Sequence, residues 1–398
     1  ARYPQEPEGV QVKVLPLLKR VGALLALTLL CNCSEQEVVA ELRSLSGSED
    51  AVFVCRDEAG LGHAYSDCPD RNSLDDTNDA KKLSVYALVS QTVTDEIAVV
   101  NVTRGKVVDV DPARPGFGFL RVGGRPISMA ATPGGRATFV ATADVGRNGI
   151  FALPTSCLDA ADPGETERDL TTWPACRLDE TPGEISVMIE PFSDSPPTLS
   201  AQTLPGDEPC RNDAYDGDDA PNEGNTCQAD LRDEAGGEGR RKLVVALPES
   251  GQLAIIDAQQ LLNTPAGTFP RCQIEARVNL QVDVPQGVTQ VLPADLTGNL
   301  LEPGMACSEV AMPMAPTPSK RFPQPAGIAV SENRLYVADQ AAPVVHVVDT
   351  TSVCGMTELP PLLPQSLREP GRIVTTRRVA VSPLTPAGQR FAYAIDAE

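Results

Sequence analysis

The sequence has few aromatic residues: Phe, Trp and Tyr together make up 4% of its 398 residues. Apolar residues still amount to 41%, which is enough for a packed core and too many for a disordered chain. The core must therefore consist mostly of Val, Ala, Leu and Ile. Because 36 Pro and 31 Gly separate short apolar runs along the chain, the sequence favours strands and turns over long helices.

The chain also lacks an excess of positive charge. Lys and Arg number 33 against 54 Asp and Glu, and the formal net charge is -21. Binding to DNA or RNA depends on clustered basic side chains that neutralise phosphates, so nucleic acid is not an expected partner. The basic run Arg240–Lys242 is too short to change this. We interpret the acidic excess as a solvated surface.

The apolar stretch near the N-terminus, Val21–Leu30, is too short to span a bilayer as a helix, which takes roughly 20 residues. Basic residues precede it, and Cys31 and Cys33 follow it. This order of basic, apolar and small residues is typical of a signal peptide, with a buried N-terminal helix as the alternative. We therefore expect residues 1–33 to comprise upstream residues and an export signal.

A cysteine directly after the apolar stretch resembles the lipobox of bacterial lipoproteins, in which that cysteine is lipidated. Here the lipidated residue would be Cys31 or Cys33. The lipobox has a small residue before the cysteine, whereas this sequence has Leu30 or Asn32 there. Ordinary signal-peptidase cleavage after Cys33 is the alternative. Contact with a membrane is expected only through such an N-terminal lipid.

The sequence has no CxxC pair and only two histidines, which argues against a zinc site. Nine cysteines follow the signal region, and this number in an exported chain predicts disulfides. Pairing of neighbours along the sequence would close one loop each and joins Cys55 with Cys68, Cys157 with Cys176, Cys210 with Cys227, and Cys272 with Cys307. Cys354 would be left over. The sequence alone does not prove the connectivity, since eight cysteines allow on the order of 100 pairings.

A hairpin recurs along the chain, in which an apolar strand follows Lys or Arg and the next strand often ends on Asp or Asn. Four segments show it, at 82–103, 136–154, 242–258 and 334–350, and a fifth begins at Arg390. A short strand and a turn rich in Pro, Gly or Ser precede several of them. Two such units, Arg125–Asp144 and Pro325–Gln340, resemble the YVTN-type repeat of bacterial β-propellers, and so does Gly105–Pro112 as a strand that leads into the next blade.

In that family each repeat forms one four-stranded antiparallel blade, and blades stack around an axis because a small sheet cannot bury both faces alone. The resemblance therefore implies an all-β fold, a β-propeller over residues 80–398 with disulfide-linked loops. The second strands begin near 83, 138, 243, 335 and 391, which indicates a period of about fifty residues that is skipped twice. We expect about seven blades, and Glu184–Glu190 and Gly287–Leu296 would belong to the skipped ones.

Other segments frame the repeats. Residues 34–79 form a Cys-containing N-terminal segment, in which Ala51–Glu58 would start the first blade. Residues 191–240 are rich in Pro, Gly, Asp and Glu and form a long acidic loop insertion. Since the sequence stops within a hairpin, the last blade is expected to be incomplete at the C-terminus.

The acidic insertion contains many oxygen ligands of the kind that calcium prefers. These are Asp213, Asp216, Asp218, Asp219 and Glu223. Their spacing departs from the EF-hand pattern, and a solvated acidic loop closed by a disulfide is the simpler interpretation. A second acidic cluster at 67–79 gives a weaker indication. No cofactor other than calcium is expected.

No catalytic set is recognisable, because the sequence shows no Ser/His/acid group, Cys/His pair, phosphate loop or HExxH helix. We interpret His346 as a blade residue and His63 as a surface residue. Trp173 is either an exposed recognition aromatic or a cap over a blade edge. Three aspartates near strand ends either converge on the axis or cap turns, namely Asp257, Asp339 and Asp349.

These observations favour an exported cell-envelope propeller that serves as a non-enzymatic scaffold for a protein or a glycan. One alternative is a propeller enzyme, lactonase-like or quinone-dependent, with its site on the central axis. Another is a calcium-dependent adhesion protein that uses the acidic insertion. Three acids gathered at one channel mouth would favour the enzyme, and scattered acids that cap turns would favour the scaffold.

Overall fold

The computed structural model describes residues 45–68, 83–110, 118–144, 146–159, 171–193, 210–216, 219–221, 227–235, 239–281, 291–292, 308–309, 323–364, 366, 374–386 and 388–397. The chain divides into two units, Ala1–Arg43 and Ser44–Glu398, and all described residues belong to the second. The expected export signal, with its candidate lipidation sites Cys31 and Cys33, therefore lies outside the described residues.

The first sheet, blade 1, is antiparallel and contains the first six strands. They are β1 (Ala51–Arg56), β2 (Gly62–His63), β3 (Ser84–Gln91), β4 (Glu96–Asn101), β5 (Lys106–Val107) and β6 (Leu120–Arg121). β1 pairs with β3, β3 with β4, and β4 with both β5 and β6, while β2 lies on the free edge of β1. The tight turn between β3 and β4 holds Asp95 at a φ of 56°.

Three further sheets have four antiparallel strands each, paired in chain order. Blade 2 contains β7 (Arg125–Ala131), β8 (Ala137–Ala143), β9 (Gly149–Pro154) and β10 (Ala175–Arg177). Blade 3 contains β11 (Ile185–Pro191), β12 (Gly239–Leu247), β13 (Gln252–Asp257) and β14 (Ile274–Asn279). After a separate pair, β15 (Val291–Leu292) and β16 (Ser308–Glu309), blade 4 contains β17 (Pro325–Ser331), β18 (Arg334–Asp339), β19 (Val345–Asp349) and β20 (Thr357–Leu362).

A two-stranded sheet, blade 5, follows with β21 (Thr376–Val381) and β22 (Ala392–Asp396). The described helices are short: α1 (Leu231–Ala235), α2 (Ala258–Leu262) and 3₁₀ turns at Tyr65–Asp67, Thr155–Cys157 and Val353–Gly355. The expected fold class, an all-β propeller of four-stranded antiparallel blades, is confirmed. In the described part of the chain, no helix has the length and apolar character needed to cross a membrane.

Aliphatic side chains fill the spaces between consecutive blades. All seven residues of β8 and all nine of β12 are buried, because each strand is covered on both faces. Four clusters of buried residues each contain members from two consecutive blades. Examples are Val54 and Val140 for blades 1 and 2, Phe139 and Leu243 for blades 2 and 3, Val244 and Leu335 for blades 3 and 4, and Ala338 and Val379 for blades 4 and 5. Each blade thus depends on its neighbours for burial of its apolar surface.

The long spacing between β8 and β12 does not come from a skipped blade. Ile185–Pro191, which the period assigned to a skipped blade, is the first strand of blade 3 and pairs with β12, with Ile185 opposite Val245. The acidic insertion therefore lies inside blade 3, between its first and second strands. Among the described residues there are five first strands, β1, β7, β11, β17 and β21, against the roughly seven blades that the period indicates.

Only one of the four expected disulfide pairings is present. Cys55–Cys68 closes a short loop in blade 1, as expected. The others are Cys157–Cys227, Cys176–Cys272 and Cys210–Cys354, so the expected pairings of Cys157 with Cys176, Cys210 with Cys227, and Cys272 with Cys307 are wrong. Cys307 lies outside the described residues.

The observed pairings follow the stacking of blades and not the order of cysteines along the chain. Cys176 on β10 lies next to the residues that enter β14, so its bond to Cys272 joins blade 2 to blade 3. Cys354, which was expected to be left over, lies in the 3₁₀ turn after β19 and joins blade 4 to the insertion at Cys210. These four disulfides indicate an oxidising, exported environment.

Candidate functional site

The propeller axis is where an enzyme of this fold class would hold its reacting groups, so we consider it first. Five corresponding positions lie within the first strands or directly before them, namely Asp50, Ser128, Glu184, Gly327 and Arg378. The backbone N–H of Met129 donates to Asp50 Oδ2 at 2.7 Å, which links blade 1 to blade 2. The N–H of Ile185 donates to Ser128 Oγ at 3.1 Å, which links blade 2 to blade 3.

The same positions continue the linkage through the remaining blades. The Glu184 carboxylate accepts a hydrogen bond from the backbone of Ile328 in blade 4. A Cβ at Gly327 would lie 2.7 Å from the Cα of Arg378, so glycine permits the close approach of β17 and β21. Arg378 Nη2 donates to the Glu49 carbonyl at 3.1 Å and returns the linkage to blade 1.

Two carboxyl groups and one guanidinium of this set interact electrostatically. The pKa of Glu184 is raised to about 7, mainly by burial and in smaller part by the charge of Asp50, against the hydrogen bond from Ile328 and the charge of Arg378. Burial also raises the pKa of Asp50, against the hydrogen bonds from Met129 and Ala51 and the charge of Arg378. Because both carboxylates accept backbone N–H groups, what they do in this structure is join consecutive first strands.

A buried ion network lies on blade 3, where the acidic insertion meets β12. Arg240 Nη2 is 2.8 Å from Asp219 Oδ2, and Arg240 Nη1 is 3.4 Å from Asp257 Oδ2. Lys242 Nζ lies 2.9 Å from Asp257 Oδ2 and 2.5 Å from Glu275 Oε2. All five residues are at most 2% exposed, so each charge depends on its partners to offset the loss of hydration.

The network fastens the insertion to the blade. The N–H of Arg211, in the insertion, donates to Glu275 Oε1 at 3.2 Å. The guanidinium of Arg240 lies 4.6 Å from the ring centre of Tyr215, whose hydroxyl accepts from the N–H of Arg241 at 2.9 Å. Burial opposes ionisation of Asp219, but its hydrogen bonds with Arg240 prevail and lower its pKa.

The expected calcium ligands are only partly described, and the described ones face arginines. Asp213 Oδ1 is 3.1 Å from Arg240 Nη2, and Asp216 Oδ2 is 4.0 Å from Arg211 Nη2. A divalent cation at Asp219 would lie beside the buried Arg240 guanidinium, which repels it. Asp218 and Glu223 lie outside the described residues. Within the described ranges, no three or more His, Cys, Asp or Glu side chains are grouped to hold a metal.

His346 lies between two carboxylates in blade 4. Its Nε2 is 3.0 Å from Asp339 Oδ2, its Nδ1 is 2.6 Å from Glu358 Oε1, and the ring is fully buried. Burial alone would lower the pKa of His346, but the hydrogen bonds and charges of both carboxylates outweigh it and raise the pKa. The interpretation of His346 as a blade residue is thus confirmed, since its three strands, β18, β19 and β20, are neighbours in one sheet.

The three strand-end aspartates cap turns. Asp257 Oδ1 accepts the N–H groups of Gln259 and Gln260 at the start of α2, both at 3.0 Å. Asp339 Oδ1 accepts two successive backbone N–H groups of the next turn, both at 2.7 Å. Asp349 Oδ1 accepts the N–H of Thr351 at 2.9 Å. Of the two arrangements expected for these aspartates, capping of turns is therefore the observed one.

The burial and partners of Trp173 and His63 show what each side chain contacts. Trp173 is fully buried, and its Nε1 donates to the Arg121 carbonyl in β6 at 3.0 Å. It therefore caps the edge of blade 1 and is not an exposed recognition aromatic. His63 is partly buried on β2, and its Nε2 lies 3.0 Å from Asp57 Oδ2.

Sequence reasoning missed the buried network because the run Arg240–Lys242 was judged only as a short basic patch. The useful signal is its position at the start of an apolar strand. Alternation along β12 places Arg240 and Lys242 on the same face, and buried basic side chains require carboxylate partners. Asp50, Glu184 and Arg378 carry no comparable signal, because their proximity arises only when blades from distant parts of the chain meet.

No protein-family model matches the chain, and no curated protein matches it. Among solved structures, the chain is similar to hydrazine synthase of Kuenenia stuttgartiensis, at 13% identity over 78% of this chain and 76% of that one, with a TM-score of 0.33. It is also similar to the Cps50 (Swd1) β-propeller domain of Myceliophteria thermophila, at 10% identity over 79% and 90%, with a TM-score of 0.25. A third similar structure is the PQQ-bound aldose sugar dehydrogenase of Streptomyces coelicolor, at 12% identity over 78% of this chain and 90% of that one, with a TM-score of 0.24. Likeness at this level carries no argument about function.

Proposed function

We propose that this chain is an exported, non-enzymatic β-propeller scaffold of the cell envelope that binds a protein partner through its acidic insertion. One observation carries the proposal: the insertion is fastened to three blades. Cys227 bonds to Cys157 of blade 2, the buried ion network holds the insertion to blade 3, and Cys210 bonds to Cys354 of blade 4. This restraint holds the backbone of the insertion in one conformation before any partner docks.

The insertion offers exposed carboxylates on a fixed backbone. The side chains of Asp213 and Asp216 are 60% and 55% exposed. A surface that is ordered before binding loses less conformational entropy when a partner docks, so the restraint favours affinity. Negative charge at this position favours a partner with a basic surface and accelerates their encounter at low salt.

Capture from envelope extracts tests the proposal. The full chain is immobilised as wild type, as D213N/D216N and as D67N/E249Q, a control that removes two exposed acids elsewhere. We expect chemical cross-linking to recover a partner with wild type and the control, and several-fold less with D213N/D216N. Recovery should also fall as salt is raised, because exposed charges are screened over about 8 Å at physiological ionic strength.

Two results would contradict it. Equal recovery by all three forms, or recovery independent of salt, would place the binding surface elsewhere. If the captured material survives prior digestion of the extract with protease, the partner is a glycan and the acidic insertion is not its receptor.

We also propose that export uses the N-terminal signal and that Cys31 or Cys33 carries a lipid. The order of basic, apolar and small residues at 13–33 supports this, as do the four disulfides. Metabolic labelling with an alkyne fatty acid in a bacterial host tests it. One of the two single variants, C31A or C33A, should lose the label, and the other should keep it. An unlabelled wild type would show that the lipid is absent.

A further inference from the structure

A small open cavity lies where β10 of blade 2 meets the residues that enter β14 of blade 3. The space inside it is only about 20 Å³, close to the room that one water or one anion oxygen needs, and its lining includes three arginines, Arg177, Arg271 and Arg277. The buried side chains of Leu247 and Ile274 form apolar parts of its wall. Three arginines against two acids, Asp179 and Glu180, in one lining are unexpected in a chain with a net charge of -21.

The backbone forces two of these arginines together. Arg177 and Arg271 are partners in a parallel β-bridge, and the Arg177 carbonyl accepts the N–H of Cys272 at 2.8 Å. The Cys176–Cys272 disulfide lies beside this bridge and restrains it. Paired residues of neighbouring strands extend their side chains to the same face, where like charges destabilise the pair. An anion between the two guanidinium groups would relieve this repulsion.

The acidic groups at the cavity leave room for such an anion. Asp179 Oδ2 is 2.6 Å from Arg271 Nη2, but both side chains are about half exposed, so the pair is weak and exchangeable. Glu180 is turned toward Ser250, with its two oxygens accepting from Ser250 N at 2.9 Å and from Ser250 Oγ at 2.8 Å. Among the described residues, no carboxylate lies within salt-bridge distance of Arg177.

We propose that this cavity binds the oxyanion group of a small ligand, with Arg177 and Arg271 as its charged contacts. Planar guanidinium groups bind carboxylate, sulfate and phosphate oxygens in pairs of parallel hydrogen bonds. Arg277, which is buried and donates to Gln252 Oε1 at 3.2 Å, supplies a third fixed positive charge. This site is separate from the acidic insertion and does not depend on its role.

Calorimetric titration of the full chain at low ionic strength tests the site. One arm uses inorganic sulfate, and the other uses a sulfated disaccharide, which carries the same group on a sugar. We expect saturable binding of both by wild type and a loss of about tenfold or more in R177Q/R271Q, equivalent to 1.4 kcal/mol or more. R125Q/R147Q, which removes two exposed arginines of blade 2 outside the cavity, should bind within about twofold of wild type.

The relative affinities of the two ligands, and any failure of binding, can each be interpreted. Tighter binding of the disaccharide than of sulfate would identify a glycan as the source of the oxyanion, and equal binding would identify the free ion. Absence of saturable binding by wild type overturns the proposal, and so does equal weakening by the two double variants. The melting temperature of each variant shows whether it remains folded, and R177K/R271K, which keeps both charges, should retain part of the affinity.

Discussion

At the residue scale, the charged side chains that the structure describes within strands join neighbouring elements. His346 holds together three strands of blade 4, and Lys242 does the same in blade 3. Arg240 holds the insertion to blade 3, and Glu184 joins blade 3 to blade 4. The sequence permitted the correct interpretation of His346, since an isolated histidine within an apolar strand is typically a structural residue. It did not reveal its partners, because Glu358 lies two strands away from Asp339.

Replacing His346 by glutamine should destabilise the protein by about 3–5 kcal/mol, since two buried carboxylates would lose their shared cation. The contribution also depends on pH. Because the folded-state pKa of His346 is raised above 6.5, its stabilisation is complete below that value and is lost as pH rises through the raised pKa. Urea unfolding of wild type and H346Q between about pH 6 and 9 measures both effects.

The matched control is H63Q, which changes a partly exposed histidine with a single carboxylate partner. Its cost should stay within about 1 kcal/mol. A difference between wild type and H346Q that is constant across this pH range would contradict the proposed cationic role of His346.

Replacing Glu184 by glutamine should make the free energy of unfolding less dependent on pH between 4.5 and about 7. The folded-state pKa of Glu184 is raised from 4.5 to about 7, so its favourable contribution is complete below 4.5 and is lost as pH rises toward 7. Wild type should therefore lose stability relative to E184Q across this window, while E249Q, at an exposed position, should follow wild type. If the stabilities of E184Q and wild type change in parallel with pH, the pKa of Glu184 is not raised in the folded protein.

At the scale of elements, local patterns were predictable and contacts between elements were not. The expected second strands near 83, 138, 243, 335 and 391 correspond to β3, β8, β12, β18 and β22. Their hairpins are local, so alternation and turn residues specify them. The first strand of blade 3 was assigned to a separate blade because the insertion places 47 residues, 192–238, between it and β12. Sequence spacing cannot distinguish such an insertion from an additional blade.

Trp173 illustrates a contact between elements that can be measured. W173A should destabilise the protein by about 3–5 kcal/mol, because a fully buried indole leaves a cavity between blades 1 and 2. W173F keeps most of the packing and removes the hydrogen bond to the Arg121 carbonyl, so it should cost about 1–2 kcal/mol. Equal urea midpoints for W173A and wild type would show that Trp173 is exposed after all.

At the scale of the whole molecule, the disulfides act across blades. Three of the four join different blades or join a blade to the insertion, with sequence separations of 70, 96 and 144 residues. Long closed loops restrict the unfolded chain most. The sequence correctly indicated a disulfide-bearing propeller, but not these pairings, because they depend on which blades are neighbours.

Disulfide removal should therefore cost more for the longer loop. C210A/C354A should destabilise the protein by about 5 kcal/mol and C55A/C68A by about 3 kcal/mol, from the loop-length dependence of chain entropy. Urea unfolding of both double variants gives the comparison. A larger loss for C55A/C68A would contradict a role of the long cross-links in holding blades together.

Disulfide mapping of the native protein tests the central claim most directly. Proteolysis without reduction, followed by mass spectrometry, should yield cross-linked peptides that contain Cys157 with Cys227, Cys176 with Cys272, and Cys210 with Cys354. Each of these peptides joins parts of the chain that meet only when the blades are stacked as described. Peptides that instead join Cys157 with Cys176 and Cys210 with Cys227 would show loops closed one at a time and would contradict the fastening of the insertion across three blades.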